Sequence, residues 1–87
     1  MILTLDVGNT NITCGVFDGE ELRASFRITT KMPRTSDEYG MILCNLIEKN
    51  ELQVSDITDA IVCSVVPNVM HSLQGGLIKY LHITPLV

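Results

Sequence analysis

Leu5-Asp6-Val7-Gly8-Asn9-Thr10-Asn11 closes one apolar run and opens another. The first, Met1 to Val7, is nearly continuous and reads as a strand buried on both faces. The second, Asn11 to Phe17, reads as a strand with Ile12, Cys14 and Val16 on one side. Between them a carboxylate ends a strand, and a glycine, an asparagine and a threonine make a tight turn. Asp18-Gly19 is a hairpin signal. Glu21 to Thr29 then alternates, with Leu22, Ala24, Phe26 and Ile28 inward and Glu21, Arg23, Ser25 and Arg27 outward. The chain therefore opens with three antiparallel strands in succession.

Downstream, the pattern changes period. Thr35-Ser36-Asp37-Glu38 has the spacing of a capping box, with Thr35 as N-cap and Glu38 reaching back. The helix it starts runs to about Lys49, carries Tyr39, Ile42, Leu43, Leu46 and Ile47 as its apolar stripe, and stops at Asn50. Ala60 to Val66 is a β-branched run expected to be a buried strand. Pro67 suits the first turn of a second helix, which carries Val69, Met70, Leu73, Leu77, Tyr80 and Leu81. Gly75-Gly76 in its middle costs roughly 1 kcal/mol per glycine relative to alanine, and marks a kink, a close helix contact or a break. Ile83 to Val87 reads as the opening of another strand, so the chain is expected to be the N-terminal piece of a longer one. The order β-β-β-α-β-α predicts an α/β fold, a mixed sheet with helices packed on it.

Eighty-seven residues form one small domain. A chain this short buries only about 60–65% of its unfolded surface, yet 46% of its residues are hydrophobic. Some apolar surface is therefore expected to meet another subunit or a further part of the protein. A net charge of −4 argues against a nucleic-acid partner. Four of the six basic residues, Arg23, Arg27, Lys31 and Arg34, fall within twelve positions. That cluster can face an anion, although a solvated strand face accounts for Arg23 and Arg27. Cys14, Cys44 and Cys63 are too far apart for a zinc site or a disulfide framework and read as small buried hydrophobes in a reducing compartment. No signal peptide or membrane-length apolar run is present, so no membrane partner and a cytoplasmic location are expected.

The Asp6 turn suits a nucleotide phosphate. Gly8 lets backbone approach closely and take positive φ if required. Successive N–H groups in a turn form a concave anion site. Thr10 and Thr13 bring hydroxyls, Asn9 and Asn11 amide donors. A bare carboxylate repels phosphate, so Asp6 would act through hydrated Mg²⁺, which touches one or two carboxylates plus substrate phosphates. Against this, Asp, Gly and Asn are favoured in any hairpin turn for backbone reasons alone. Asp6 tips the balance, because a carboxylate ending a buried strand needs a partner.

Asp6-Val7-Gly8-Asn9-Thr10, the Asp18-Gly19 hairpin, Arg34-Thr35-Ser36-Asp37-Glu38-Tyr39 and Ser64-Val65-Val66-Pro67 occur in an order and spacing that resemble the N-terminal third of type III pantothenate kinases. These belong to the superfamily of acetate kinase, sugar kinases, Hsp70 and actin. The first motif points to the superfamily, the Arg-Thr-x-Asp-Glu-Tyr and Ser-Val-Val-Pro segments to the family. The resemblance implies a ribonuclease-H-like fold, with residues 1–87 forming the N-terminal part of the first, nucleotide-binding domain. It implies transfer of the γ-phosphoryl of ATP to pantothenate, the first step of coenzyme A synthesis, by a homodimer that uses a divalent ion and potassium or ammonium. Asp6, Val7, Gly8, Asn9, Thr10, Asn11, Ile12 and Thr13 carry over as the ATP phosphate loop, with Asp6 as the catalytic, magnesium-linked acid.

Other matches have simpler accounts. Capping explains Thr35, Asp37 and Glu38. Ser64 and Pro67 would either aim a helix N-terminus at the nucleotide or only pack. His71 and His82 lack partners at ligand spacing. The Gly75-Gly76 pair departs from what the family's second helix suggests. The resemblance also implies that the glycine-rich substrate loop, the catalytic aspartate, the potassium ligands and most pantothenate contacts lie beyond Val87. The 87 residues alone are therefore expected to be inactive. Two alternatives stay open: a catalytically silent relative serving as a binding or regulatory module, and a superfamily kinase for a sugar or short carboxylic acid.

Overall fold

The computed structural model describes residues 1–64 and 66–87. Strand β1 (Ile2–Val7) pairs antiparallel with β2 (Asn11–Asp18), which pairs antiparallel with β3 (Glu21–Thr29). Helix α1 (Ser36–Lys49) crosses to β4 (Asp59–Ser64), which lies parallel to β1 on its other side. The sheet order is β3-β2-β1-β4. Leu86 continues it with a parallel bridge to Ile61, held by Val62 N–H donating to Leu86 O (2.8 Å) and Leu86 N–H to Ala60 O (2.9 Å). A three-stranded meander, a helical crossover and a mixed sheet are the arrangement expected of a ribonuclease-H-like domain.

Local chemistry accounts for the element ends. Gly19 has φ +62° and is the only glycine with positive φ among the described residues. It is the first of the two residues between β2 and β3, as a type II′ hairpin requires. At α1 both halves of the capping box form: Glu38 N–H donates to Thr35 Oγ1 (3.1 Å) and Thr35 N–H to Glu38 Oε1 (2.8 Å). Asn50 ends that helix, its side chain donating to Leu46 O (2.8 Å), and Glu51 turns the chain away at φ 64°. Val66 caps helix α2 (Pro67–Gly76), where Pro67 takes the first turn, as expected. The Val65 position of the expected fourth strand lies outside the described residues.

Helices α1 and α2 lie together on one face of the sheet. Leu3, Leu5 and Val7 of β1, Ile12, Cys14 and Val16 of β2, and Ala60 and Val62 of β4 point into this layer. There they meet Tyr39, Leu43 and Ile47 of α1 and Leu73 and Leu77 from the second helical segment. The glycine pair is neither a kink nor a break. Helix α2 runs on into a π-helical turn, Leu77–Leu81, that ends at His82 with φ 58°. A Cβ on Gly76 would sit 2.7 Å from Ser36 O and 2.8 Å from Gly40 N. Here two backbones touch, and Gly40 in turn lies under the Tyr80 ring. Asp37 completes the joint, accepting from Lys79 Nζ (2.7 Å) and Tyr80 Oη (2.8 Å).

Three expectations require correction. The β1 and β4 strands are buried on one face, not both: their alternate residues Ile2, Asp6, Ile61 and Cys63 are exposed, because both helices cover the same side. Cys63 is consequently not a buried hydrophobe, and Cys44 is only half-buried. Leu22 is 53% exposed, since the register slips between Val16 and Phe17, pairing Val16 with Ala24 but Phe17 with Leu22. The bulge leaves one extra β3 residue and turns Leu22 to the uncovered face.

Candidate functional site

The turn between β1 and β2 inherits its geometry from the strand alternation. Val7 and Ile12, on either side of it, are at most 1% exposed and point into the core, so they offer a ligand only backbone. Asp6 and Thr13 are register partners on the uncovered face, and Asp6 also pairs with Cys63 across β4. All three are exposed. Asp6 lines a groove of about 240 Å³ with Thr4, Thr13, Gly15, Phe17 and Leu22. The groove exists because residue 15 has no side chain: a Cβ there would come within 3.1 Å of Thr4 Oγ1 and 3.2 Å of the Phe17 ring.

Gly8 serves the turn through its backbone. It does not use positive φ. Its N–H donates to Asn11 O (2.9 Å), and a Cβ would crowd that oxygen at 3.3 Å. The Gly8 amide is thus occupied in closing the turn. The amides of Asn9 and Thr10 donate to no backbone carbonyl among the described residues, and both residues are exposed. Asn11 Nδ2 lies 3.5 Å from Thr10 Oγ1. Among the described residues, the backbone donors of the turn left without a partner are therefore those of Asn9 and Thr10.

Thr29 and Thr30, which the sequence did not single out, hold this turn in place. Thr30 N–H donates to Thr10 O (2.9 Å), Thr30 Oγ1 to Gly8 O (3.2 Å), and Thr29 Oγ1 to Thr10 O (3.3 Å). Turn carbonyls that would repel a phosphate are thereby bonded from behind. Two hydroxyl residues at the end of an otherwise alternating strand were the available signal.

Asp6 forms no hydrogen bond or ion pair among the described residues. Nor do those residues contain a cluster of three His, Cys, Asp or Glu side chains able to hold a metal. A lone exposed carboxylate does not make a protein-enclosed cation site. It does fit Mg²⁺ carried largely by phosphates and water.

The other basic and acidic candidates separate cleanly. Arg23 pairs with Asp18 (3.5 Å) and Glu21 (3.9 Å) on the solvent side, and Arg27 is exposed. Lys31 and Arg34 instead line a second cavity, between the loop after β3 and the start of α2. Thr35 and Glu38 are engaged in capping, and Asp37 in the helix joint. Ser64 Oγ accepts from Val66 N–H (3.0 Å), ordering the entry to α2. His71 and His82 are exposed. Burial raises the Tyr39 hydroxyl pKa, partly offset by the nearby Arg34 charge.

The profile of the type III pantothenate kinase family matches residues 2–87. A protein of Agathobacter rectalis named type III pantothenate kinase is 72% identical over all 87 residues, which make up 34% of its length. Proteins of the same name from Bifidobacterium longum and its subspecies infantis are 47% and 45% identical, again with 34% of their length covered. The chain thus spans about a third of the length of the curated relatives it matches.

Proposed function

This chain belongs to the type III pantothenate kinase family, and on that premise we propose that it supplies the phosphate-binding part of an enzyme that phosphorylates pantothenate with ATP. The carrying observation is the arrangement at the β1–β2 turn. Among the described residues, Asp6 is an unpaired carboxylate beside a turn whose Asn9 and Thr10 amides have no partner and whose carbonyls Thr29 and Thr30 hold back.

In this proposal Asn9 and Thr10 N–H groups donate to phosphate oxygens, with the Thr10 and Thr13 hydroxyls and the Asn11 amide beside them. Gly8 keeps the turn tight. Val7 and Ile12 anchor it in the core rather than touching the nucleotide. Asp6 would help hold Mg²⁺ that accompanies the nucleotide, and that ion would neutralise charge developing during phosphoryl transfer. Such catalysis is mostly positioning, and the anchored turn provides it. Residues 1–87 would form the first part of a nucleotide-binding domain. The proposal also includes a potassium or ammonium requirement with ligands outside these residues, a homodimer and a cytoplasmic location. It nominates no general base among the 87 residues, so the chain by itself is expected to release no ADP in response to pantothenate.

A chimera tests this. The first third of the Agathobacter rectalis relative is replaced by this chain, and pantothenate-dependent ADP release is measured. Activity in the chimera, lowered about a hundredfold or more by Asp6→Asn, is the expected result. An active chimera indifferent to Asp6→Asn would exclude the assigned role.

A further inference from the structure

The loop Thr30–Arg34, the first turns of α1 and the start of α2 enclose the second cavity, of about 330 Å³. Its charge is one-sided. Among the described residues, Lys31 and Arg34 line it and no carboxylate does. Neither forms an ion pair among the described residues, whereas Arg23 nearby in sequence has two acidic neighbours. Arg34 Nε is also buried and has no hydrogen-bond partner among the described residues. Buried donors are nearly always paired, and a guanidinium presents its donors as a fork that matches a carboxylate or phosphate.

The remaining walls narrow the ligand class. Met32 and Val69 are apolar, while Asn68 and Ser72 add polar groups. An apolar lining with a few convergent polar and charged groups is the usual make-up of a small-molecule site, and the volume lies at the small end of the range of about 300–1,000 Å³. We propose that this cavity is a binding site for a small organic anion, with Arg34 as the main anchor of its oxyanion group, Lys31 as the second cation, and Met32 and Val69 against its apolar part. The anion is a carboxylate or a phosphate. Asp6 does not line this cavity, so the site is distinct from the phosphate turn, to which Thr30 connects it.

An amide-resolved NMR titration of the protein separates the cases, using 3-methylbutanoate, inorganic phosphate and the uncharged 3-methylbutanol as probes. Saturable shifts in Lys31, Met32, Arg34 and Asn68 to Ser72 with butanoate alone identify a carboxylate, and with phosphate alone a phosphate group. Arg34→Gln should weaken that binding about tenfold or more, while Lys49→Gln on the far end of α1 should leave it intact. If Arg34→Gln does not fold, Arg34→Lys decides: it keeps the charge and loses the fork, so weakened binding supports the site and unchanged binding overturns it. Asp6→Asn should change nothing here. Absence of saturable shifts with both anions, an equal response to the alcohol, or loss of binding in Asp6→Asn would overturn the proposal.

Discussion

Replacing Gly76 by alanine puts the packing of the two helices to a sharp test. The added Cβ would lie 2.7 Å from Ser36 O and 2.8 Å from Gly40 N, and ordinary contact begins at 3.4 Å. Both obstacles are backbone, so no side chain can swing aside and the helices must separate by roughly 0.7 Å. A gap of that size forfeits a quarter to a half of the dispersion energy between facing atoms. Overpacking of this kind typically costs about 1–3 kcal/mol, and here the upper end applies, because the Gly40–Tyr80 contact opens as well. Alanine returns about 1 kcal/mol in helix propensity. The net loss should be about 2 kcal/mol, which lowers the Tm of a domain this size by about 8–16 °C. Urea unfolding followed by circular dichroism measures it. Gly75→Ala is the control, since its main obstacle is the Ser36 hydroxyl, which can rotate, and its loss should be less than half as large. A Gly76→Ala protein as stable as the parent would refute the close-contact account.

Thr35→Ala removes the acceptor for Glu38 N–H and should destabilise the protein by about 1 kcal/mol in the same unfolding assay. The hydrogen bond from Lys79, then that from Tyr80, and the Lys79 charge hold the Asp37 carboxyl below its ordinary pKa of 3.8. A depressed folded-state pKa gives stability that is complete above 3.8 and is lost as the pH falls through the lowered value. Asp37→Asn should therefore flatten the acid limb of a stability–pH curve, modestly and less so in high salt, because the group is exposed. Burial pushes the Cys14 thiol up to about 12, while Cys63 is exposed. Iodoacetamide at neutral pH should alkylate Cys63 in the folded protein and Cys14 only after unfolding, read by peptide mass spectrometry.

The meander, the capping box and the Pro67 helix start were legible because each depends on contacts within a few residues. Asp18-Gly19 dictates its own turn, and Thr35 with Glu38 closes its own cap. What the sequence concealed was tertiary. An apolar run such as Met1 to Val7 looks the same whether one or both faces are covered, and only the placement of α1 and α2 on one side exposes Ile2, Asp6 and Cys63. The bulge at Val16/Phe17 shifts Leu22 without any local signature. Gly75-Gly76 looked costly within a helix because its partner, Gly40, lies 36 residues away in sequence. At the site, Asp6 and the turn were visible as a pattern of residue types. The bracing by Thr29 and Thr30 was not, since it joins the ends of two strands across the sheet.

Binding of ATP to the protein with and without Mg²⁺, resolved by amide NMR and repeated in Asp6→Asn, tests the central claim most directly. Mg²⁺-dependent shifts centred on Asn9, Thr10 and Thr30 are expected, weakened about tenfold or more by the substitution. Shifts centred elsewhere, or equal affinity in Asp6→Asn, would contradict that claim.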